Sequence, residues 1–235
     1  MKVRIDVLRQ KNPLEKSYVQ SFEYEYEDKS TTVAKALSDI NKQDIIKDTE
    51  GQKADKIRWE CSCMQKKCGA CAMRINSLPS LACDKRLSEL GNIIKLEPLK
   101  KFPVIADLTV DRSVMFEALK TAKVWFEKNA QPNERRTETV HEASRCLQCG
   151  CCLEICPNFA ADMRFKGFAA AVPLTRLIAE ASEDEKKRIF ASYSMYFYEG
   201  CGKSLACRDI CPAGIDSEFL MVNSNAAAIW KRKRR

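Results

Sequence analysis

The spacing of the cysteines constrains this 235-residue chain more than any other feature of its sequence. Eleven of its 13 cysteines fall into three groups, in which most neighbouring thiols are separated by two to five residues. The groups are Cys63, Cys68, Cys71 and Cys83; Cys146, Cys149, Cys152 and Cys156; and Cys201, Cys207 and Cys211. Thiols spaced in this way converge readily on a metal centre and seldom form a disulfide framework. We therefore expect the chain to fold around metal centres, in a compartment that keeps thiols reduced.

The first group has the spacing of a plant-type 2Fe-2S site. Its four cysteines follow the pattern Cys-x4-Cys-x2-Cys, with Cys83 twelve residues after Cys71. Gly69 and Ala70 lie between two of these cysteines and would let the backbone approach the sulfides and donate N–H groups to them. A zinc site is the alternative, but the spacing matches a ferredoxin loop better than a zinc ribbon.

The second and third groups together predict a pair of cubane-type clusters. The second group is the bacterial ferredoxin run Cys-x2-Cys-x2-Cys-x3-Cys-Pro, whose fourth cysteine ligates the other cluster of the pair. The third group repeats part of this run and also ends in Cys-Pro. Exchanging the last cysteine of each group gives one 4Fe-4S cluster with the ligands Cys146, Cys149, Cys152 and Cys211. The other cluster is left with Cys156, Cys201 and Cys207.

That last ligand set is one thiolate short of a cubane. In a complete run the missing cysteine would stand midway between Cys201 and Cys207, where this chain has Ser204. A cubane corner without a thiolate tends to lose its iron, so we predict a 3Fe-4S cluster. Ligation by the serine oxygen is the alternative and would preserve a four-iron cluster. Cys61 and Cys151 remain outside the three sets, and we predict that both pack as small apolar residues beside the clusters.

The order of elements predicts two domains of different class. Residues 2–8 and 18–26 alternate polar and apolar side chains as half-buried strands do. A helix is expected from Val33 after the cap candidates 30–32. Residues 1–103 therefore predict a small α+β domain that contains the first cysteine group, with 97–103 as the linker.

Residues 104–235 predict a helical domain with a basic C-terminal tail. Pro173 is expected in the first turn of one helix. Ser182 and Glu185 have the spacing of a capping box for the next helix. Asp216 is expected to cap a last helix that runs to about Trp230.

The charge distribution points to no nucleic-acid partner. Five of the net +8 charges come from residues 231–235, which leaves the rest of the chain nearly balanced. Such a tail is either solvated or attracted to anionic lipid headgroups, and no basic stripe with aromatic residues accompanies it. Residues 1–10 do not form the apolar core of a secretory signal, and no stretch of about 20 apolar residues predicts a membrane span.

The order of the three motifs resembles the iron-sulfur subunit of the succinate dehydrogenase and fumarate reductase family. The resemblance covers nearly the whole chain and lies in residues 81–83, 146–157 and 201–212. It implies an α+β protein, with an N-terminal β-grasp plant-type 2Fe-2S ferredoxin domain followed by an all-α bacterial-ferredoxin-like dicluster domain.

The same resemblance implies partners and a location. The partners are an FAD-containing flavoprotein subunit that acts on a dicarboxylate, and a membrane anchor with a quinone site, for which haem b is an option. The location is peripheral, on the cytoplasmic face of the cell membrane. The chain itself has no G-x-G-x-x-G after a strand and no catalytic constellation, so we expect it to relay electrons and to carry no catalytic residue.

The resemblance is weakest near the expected quinone site, for which we predict Pro157, Asn158, Phe159 and Lys203 as neighbours. Ubiquinone-reducing members carry tryptophan soon after the Cys-Pro of the second group, and histidine after the first ligand of the third. Here Asn158 follows Pro157, and Gly202 follows Cys201. The differences favour a menaquinone-linked fumarate reductase.

Two other hypotheses remain open at this stage. One is an iron-sulfur subunit for another flavoprotein, such as a quinone-independent thiol:fumarate reductase. The other is a zinc-stabilised interaction protein with no redox role, which would contain no iron.

Overall fold

The computed structural model describes residues 1–131 and 134–230. Two compact units make up the chain, Met1–Asp111 and Arg112–Arg235. The first unit contains the strands and the second is helical, so the predicted α+β class is confirmed.

The first unit is built on a five-stranded sheet in the order β2-β1-β7-β5-β6. Its strands and its helix are β1 (Lys2–Arg9), β2 (Tyr18–Glu25), α1 (Val33–Lys42), β3 (Ile46–Lys47), β4 (Lys53–Ala54), β5 (Ala72–Ile75), β6 (Leu78–Leu81), β7 (Ile93–Glu97), β8 (Val104–Ala106) and β9 (Thr109–Val110). Strands β1 and β7 are parallel, while β1–β2, β5–β6 and β5–β7 are antiparallel. The side chains of Ile5, Val7, Ile94 and Leu96 from the parallel pair are fully buried. This mixed sheet is the expected β-grasp arrangement.

Helix α1 begins where the sequence predicts. Thr32 is its N-cap, and its Oγ1 accepts a hydrogen bond from the backbone N–H of Lys35 at 3.2 Å. Val33, Leu37 and Ile40 recur at helical spacing and are all buried. The cap thus fixes the start of the helix, and the apolar stripe fixes the face that it buries.

The first unit ends after Asp111, later than the predicted boundary at residue 103. The hairpin β8–β9 belongs to this unit because Asp107, in its turn, is bonded to β1. The carboxylate of Asp107 accepts hydrogen bonds from Nε of Arg9 at 3.0 Å and from the backbone N–H of Gln10 and of Arg58, both at 2.9 Å. Both side chains of the Arg9–Asp107 pair are only 5% exposed. Cutting the chain at residue 103 would leave Arg9 buried without its counter-ion.

The second unit consists of seven α-helices in the part of the chain that the structure describes. They are α2 (Ser113–Thr121), α3 (Thr137–Ser144), α4 (Cys151–Ile155), α5 (Gly167–Glu180), α6 (Glu183–Tyr196), α7 (Ala206–Asp209) and α8 (Ser217–Asn225). Asp216 caps α8 as predicted, accepting from the N–H of Phe219 at 2.9 Å. A π-helical turn, Ala226–Trp230, continues the chain. The predicted basic tail, 231–235, lies outside the described residues.

Helix α5 corrects the prediction for Pro173. The helix already begins at Gly167, so Pro173 lies in its interior and not in its first turn. Eleven of its 14 residues are buried. Burial of nearly every face of the helix offsets the destabilisation that an interior proline causes. The local sequence pattern does not show this burial, because it depends on tertiary contacts.

The predicted capping box of α6 does not form. Ser182 occupies the N-cap position but makes no side-chain cap. The carboxylate of Glu185 instead accepts from the backbone N–H of Glu127 at 2.9 Å and of Lys128 at 2.7 Å. Arg188 also donates to this carboxylate, through Nε at 3.1 Å and Nη2 at 2.6 Å. Glu185 therefore ties α6 to residues far away in sequence.

Across residues 1–131 and 134–230, no helix is long and apolar enough to cross a membrane.

Glu185→Ala should destabilise the second unit by roughly 2–3 kcal/mol, because it leaves two backbone N–H groups without their acceptor and removes the carboxylate that pairs with Arg188. Hydrogen bonds from Arg188 hold the pKa of the Glu185 carboxyl below its usual value. The contribution is therefore complete above the unfolded-state pKa of about 4.3 and is lost as the pH falls through the lower folded-state value. Urea unfolding followed by circular dichroism measures both effects.

Glu183→Ala is the matched control, since Glu183 lies in the same helical turn but its side chain is 85% exposed and pairs only with Lys186. Its loss should change the unfolding free energy by less than about 1 kcal/mol. Equal losses of unfolding free energy in the two variants would show that the hydrogen bonds of Glu185 do not stabilise the second unit.

Candidate iron-sulfur sites

The β5–β6 hairpin brings two members of the first cysteine group together. Cys71 immediately precedes β5 and Cys83 follows β6, so the antiparallel pairing of these strands places them side by side. Their sulfurs lie 3.4 Å apart, and the N–H of Ala82 donates to the carbonyl of Cys71 at 3.1 Å. Helix α1 fixes the same segment, because the N–H of Ala34 donates to the carbonyl of Ala82 at 2.9 Å.

The loop that carries Cys63 and Cys68 directs backbone N–H groups at sulfur. Cys63 Sγ accepts from the N–H of Gln65 at 3.3 Å and of Lys67 at 3.2 Å, and Cys83 Sγ accepts from the N–H of Lys66 at 3.3 Å. Lys66 has a positive φ of 58°, so the chain bends sharply here. These three donors could not be predicted from the sequence, because no residue type marks them and only the bend creates them.

The thiols of this loop have opposite tendencies to ionise. Backbone N–H groups, first that of Gln65, lower the pKa of Cys63 to about 7. Burial raises the pKa of Cys71 to about 12. A buried thiol of this kind becomes a thiolate when a metal cation lies beside it, so both fit as ligands to iron. Gly69, with a φ of 74°, makes the turn between Cys68 and Cys71.

In the second unit, Cys146, Cys149, Cys152 and Cys211 line one cavity. These are the four residues that the exchanged spacing assigns to the 4Fe-4S cluster. The remaining walls include Phe168, Val172 and Ile215. Sulfur donors on an apolar surface fit an iron-sulfur cluster, because the surface keeps water from the metal.

The third set of cysteines, Cys156, Cys201 and Cys207, lines a neighbouring cavity. Ser204 lies on the wall of this cavity, between Lys203 and Leu205. Both of those residues have positive φ, of 56° and 58° respectively. The structure therefore places at this cavity the three predicted thiols together with the serine that replaces the fourth.

Helix α4 connects the two cavities. It is only five residues long, yet its Cys152 lines both of them. Gly150, with a φ of 86°, turns the chain into this helix. Cys156 follows its last turn and reaches the second cavity, as the Cys-Pro pattern predicts.

The two remaining cysteines behave differently from one another. Cys151 is fully buried and lines neither cavity, although its thiol is hydrogen-bonded to Cys149 and lowers the pKa of that residue to about 7. Cys61 is exposed, so the prediction that it packs as an apolar residue is wrong. It lies in the surface loop just before Cys63, and its side chain is exposed there.

Two polar side chains lie next to predicted ligands of the second unit. Nε2 of Gln148 donates to Sγ of Cys146 at 3.4 Å, and Oγ of the fully buried Ser217 lies 3.6 Å from Sγ of Cys207. Burial raises the pKa of Cys207, and the Ser217 hydroxyl opposes that shift by donating to the thiolate. The sequence analysis named neither residue, although each is close in sequence to a motif that it did name.

The residues of the predicted quinone neighbourhood differ in exposure. Pro157, Asn158 and Lys203 are exposed, and the Lys203 ammonium lies 5.8 Å from the centre of the Tyr198 ring. Phe159, in contrast, is only 4% exposed.

Comparison with protein families agrees with this geometry. A model described as "2Fe-2S iron-sulfur cluster binding domain" matches residues 4–117, and one described as "4Fe-4S dicluster domain" matches residues 142–215. The fold and the three cysteine sites thus define an iron-sulfur protein with a 2Fe-2S domain and a dicluster domain.

Similar proteins of known name identify the family within this class of iron-sulfur proteins. The chain is 33% identical over 223 residues to the succinate dehydrogenase iron-sulfur subunit of Bacillus subtilis (strain 168), covering 91% of this chain and 87% of that one. It is 30% identical over 173 residues to the fumarate reductase iron-sulfur subunit of Escherichia coli O6:H1, covering 69% and 70%. The chain belongs to the family of succinate dehydrogenase and fumarate reductase iron-sulfur subunits.

A solved structure shows the same fold. A chain of the Mycobacterium smegmatis Sdh1 complex in the apo form matches with a TM-score of 0.78 at 20% identity, covering 100% of this chain and 98% of that one. Its two-domain architecture is therefore that of the family.

Cys152→Ala should lower the iron content of the purified protein by about four atoms per chain, because Cys152 is a predicted 4Fe-4S ligand. Cys151→Ala, the change at the adjacent residue, should leave the iron content unchanged. Iron assay together with acid-labile sulfide determination measures both. Loss of iron from both variants in equal amount would contradict the ligand assignment.

Proposed function

We propose that this chain relays electrons one at a time between the FAD of a dicarboxylate-oxidising or dicarboxylate-reducing flavoprotein subunit and a membrane quinone. The observation that carries the proposal is the pair of cysteine-lined cavities that share Cys152. Iron-sulfur clusters bound by these cysteines would supply one-electron redox chemistry. The chain then acts as the iron-sulfur subunit of a succinate dehydrogenase or fumarate reductase complex.

The task of the protein is to hold thiolates and to set their surroundings. In the first unit, Cys63, Cys68, Cys71 and Cys83 would hold a 2Fe-2S cluster, and the N–H groups at 65–67 bond to two of the sulfurs. In the second unit, Cys146, Cys149, Cys152 and Cys211 would hold the 4Fe-4S cluster in its largely apolar cavity. Hydrogen bonds and burial of this kind are the means by which a protein tunes reduction potential.

The third site would hold a 3Fe-4S cluster on Cys156, Cys201 and Cys207. Support comes from Ser204, which lies on the cavity wall and is exposed. An exposed hydroxyl keeps its hydrogen bonds to water and is a harder ligand than thiolate, so it competes poorly for iron in a sulfur-rich site.

Asn158 supports a quinone neighbourhood near this third site. It lines the cavity of the third cysteine set and also an open groove formed by Met163, Arg164, Phe165, Met195, Glu199 and Gly200. Its Nδ2 donates to the carbonyl of Gly200 at 2.8 Å. Met163 and Met195 are 52% and 41% exposed, which suits the apolar surface of an anchor subunit or of a quinone ring.

Gly202 and Asn158 fit each other. A Cβ at position 202 would lie 2.9 Å from Nδ2 of Asn158, so a larger residue there would require Asn158 to move. Ubiquinone-reducing members carry histidine at the position of Gly202 and tryptophan soon after the Cys-Pro, whereas this chain has Asn158-Phe159-Ala160-Ala161 after Pro157. We propose on this basis that the quinone is menaquinone and that the enzyme is a fumarate reductase.

The relatives imply the partners. The matched subunits come from succinate dehydrogenase and fumarate reductase, so the proposed complex contains a flavoprotein and a membrane anchor, with haem b optional in the anchor. The chain would then lie at the cytoplasmic face of the membrane, held there by its partners.

Low-temperature EPR and iron analysis test the three centres. We expect roughly nine irons per chain, a 3Fe-4S signal in the oxidised protein and a 2Fe-2S signal after reduction. Ser204→Cys should convert the third centre to a 4Fe-4S cluster, removing the oxidised signal and adding about one iron. Ser194→Cys, in α6, is the control and should change neither result. An unaltered oxidised signal in Ser204→Cys would show that the ligand assignment is wrong. A colourless chain without iron would contradict the proposed redox function.

Isolation of the complex tests the partners. We expect the chain to co-purify with an FAD-containing subunit and a membrane-extracted anchor, and the complex to reduce fumarate with menaquinol as the donor. Activity with a thiol donor in a complex that lacks an anchor would instead identify a thiol:fumarate reductase. Faster turnover with ubiquinone and succinate would contradict the preference for menaquinone and fumarate.

A further inference from the structure

Pro173 leaves one carbonyl of α5 without its helical donor. A proline has no N–H, so the carbonyl four residues earlier, that of Ala169, receives no bond from position 173. The side chain of Gln148 takes over, because its Nε2 donates to this carbonyl at 3.1 Å. Helix α5 is thereby joined to the loop between Cys146 and Cys149.

The same amide nitrogen also contacts a predicted cluster ligand. Nε2 of Gln148 lies 3.4 Å from Sγ of Cys146. A primary amide carries two N–H donors, so one serves the Ala169 carbonyl and the other serves the sulfur. The carbonyl therefore holds the amide in the position from which it bonds to sulfur.

The orientation of this amide is fixed by its neighbours. Among the described residues, Oε1 of Gln148 is the one buried side-chain polar atom without a hydrogen-bond partner. Reversing the amide would place this oxygen against the Ala169 carbonyl and the Cys146 sulfur, which both accept hydrogen bonds. The nitrogen would lose both acceptors as well. The site thus provides acceptors for the N–H groups of the amide, while the amide oxygen is left without a donor.

The backbone of Gln148 adds a further constraint. Its φ is 49°, in the left-handed region that favours glycine or asparagine. Glutamine at this position keeps the strain but gains a side chain long enough to reach both α5 and Cys146. The four-residue segment 146–149 places that side chain on the wall of the 4Fe-4S cavity.

We propose that Gln148 is a positioning residue that raises the reduction potential of the 4Fe-4S cluster, and that Pro173 holds it in place by freeing the Ala169 carbonyl. The proposal rests on the proposed ligation of that cluster by Cys146. Reduction adds one electron, and hence one negative charge, to the cluster and its thiolates. An N–H donor to a ligand sulfur stabilises the more negative state, so it favours reduction.

Gln148→Leu removes both donors with little change of volume. In the full chain carrying its clusters, redox titration monitored by EPR should give a lower midpoint potential for the 4Fe-4S centre. We expect the ratio of reduced to oxidised cluster, at a fixed ambient potential, to fall by about tenfold, which corresponds to 59 mV for a one-electron couple. The iron content should stay the same.

A second pair of variants separates tuning from packing. Pro173→Ala restores an N–H to the Ala169 carbonyl, so the combination of Gln148→Leu with Pro173→Ala leaves that carbonyl paired but Cys146 without its donor. We expect the double variant to show about the same tenfold lower ratio relative to the unaltered chain. Pro173→Ala alone should show a smaller fall, because the Gln148 amide loses its anchor at the Ala169 carbonyl but keeps its reach to the Cys146 sulfur. This comparison also stands if Gln148→Leu alone fails to retain its cluster. A double variant with the midpoint of the unaltered chain would show that Gln148 serves the carbonyl and not the sulfur. A Pro173→Ala midpoint equal to that of the unaltered chain would show that Pro173 does not hold Gln148 in place, and either result would overturn the proposal.

Ser217→Ala is the control for site specificity. Its hydroxyl lies beside Cys207 of the third site, so it should shift the third centre and leave the 4Fe-4S midpoint unchanged, whereas Gln148→Leu should do the reverse. A 4Fe-4S signal in the unaltered chain with no shift in Gln148→Leu would contradict this inference alone. Absence of that signal from the unaltered chain would contradict the proposed function.

Discussion

The second unit depends on the convergence of cysteine thiols around helix α4. This helix has five residues, fewer than an isolated helix needs to persist in water. Its Cys152 lines both cavities. The chain on both sides of the helix supplies further thiols to the first cavity, and the chain after the helix supplies those of the second. Ligands that come together only in the folded chain couple cluster binding to folding. Iron ligation would therefore hold α3, α4, α7 and α8 in place as well as carry electrons.

The grouping of the cysteines in the second unit was largely predictable, because their spacing, with the last cysteine of each run exchanged, gives the sets that line the two cavities. The start of α1 and the cap at Asp216 were also predictable, because the residues that indicate each helix are adjacent to it in sequence. Other features were not predictable, since their partners lie far away. Arg9 and Asp107 are 98 residues apart, and Glu185 accepts from backbone groups 57 and 58 residues earlier. The predicted capping box of α6 and the predicted linker were both inferred from local sequence patterns. In the structure, contacts between residues far apart in sequence form at both places instead.

The two units supply donors to sulfur in different ways. In the first unit the donors are backbone N–H groups of a tightly bent loop, so any residue compatible with the bend would serve. In the second unit the polar contacts to sulfur come from side chains, so a single substitution can remove one. Gln148 donates to Sγ of Cys146, and the Ser217 hydroxyl accepts from the thiol of Cys207. The potential of the second unit's clusters is therefore more open to change by mutation than that of the 2Fe-2S cluster.

This difference bears on how one fold serves both succinate oxidation and fumarate reduction. The family includes subunits of both kinds of complex, so the ligand set and the fold do not choose the direction. Direction depends on potentials, and potentials depend on donors and burial around the ligands. Side-chain donors such as Gln148, and the surface around Asn158 and Gly202, can change without disturbing a cysteine. Substitution at those positions can therefore change the potentials while the motifs that identify the family stay intact.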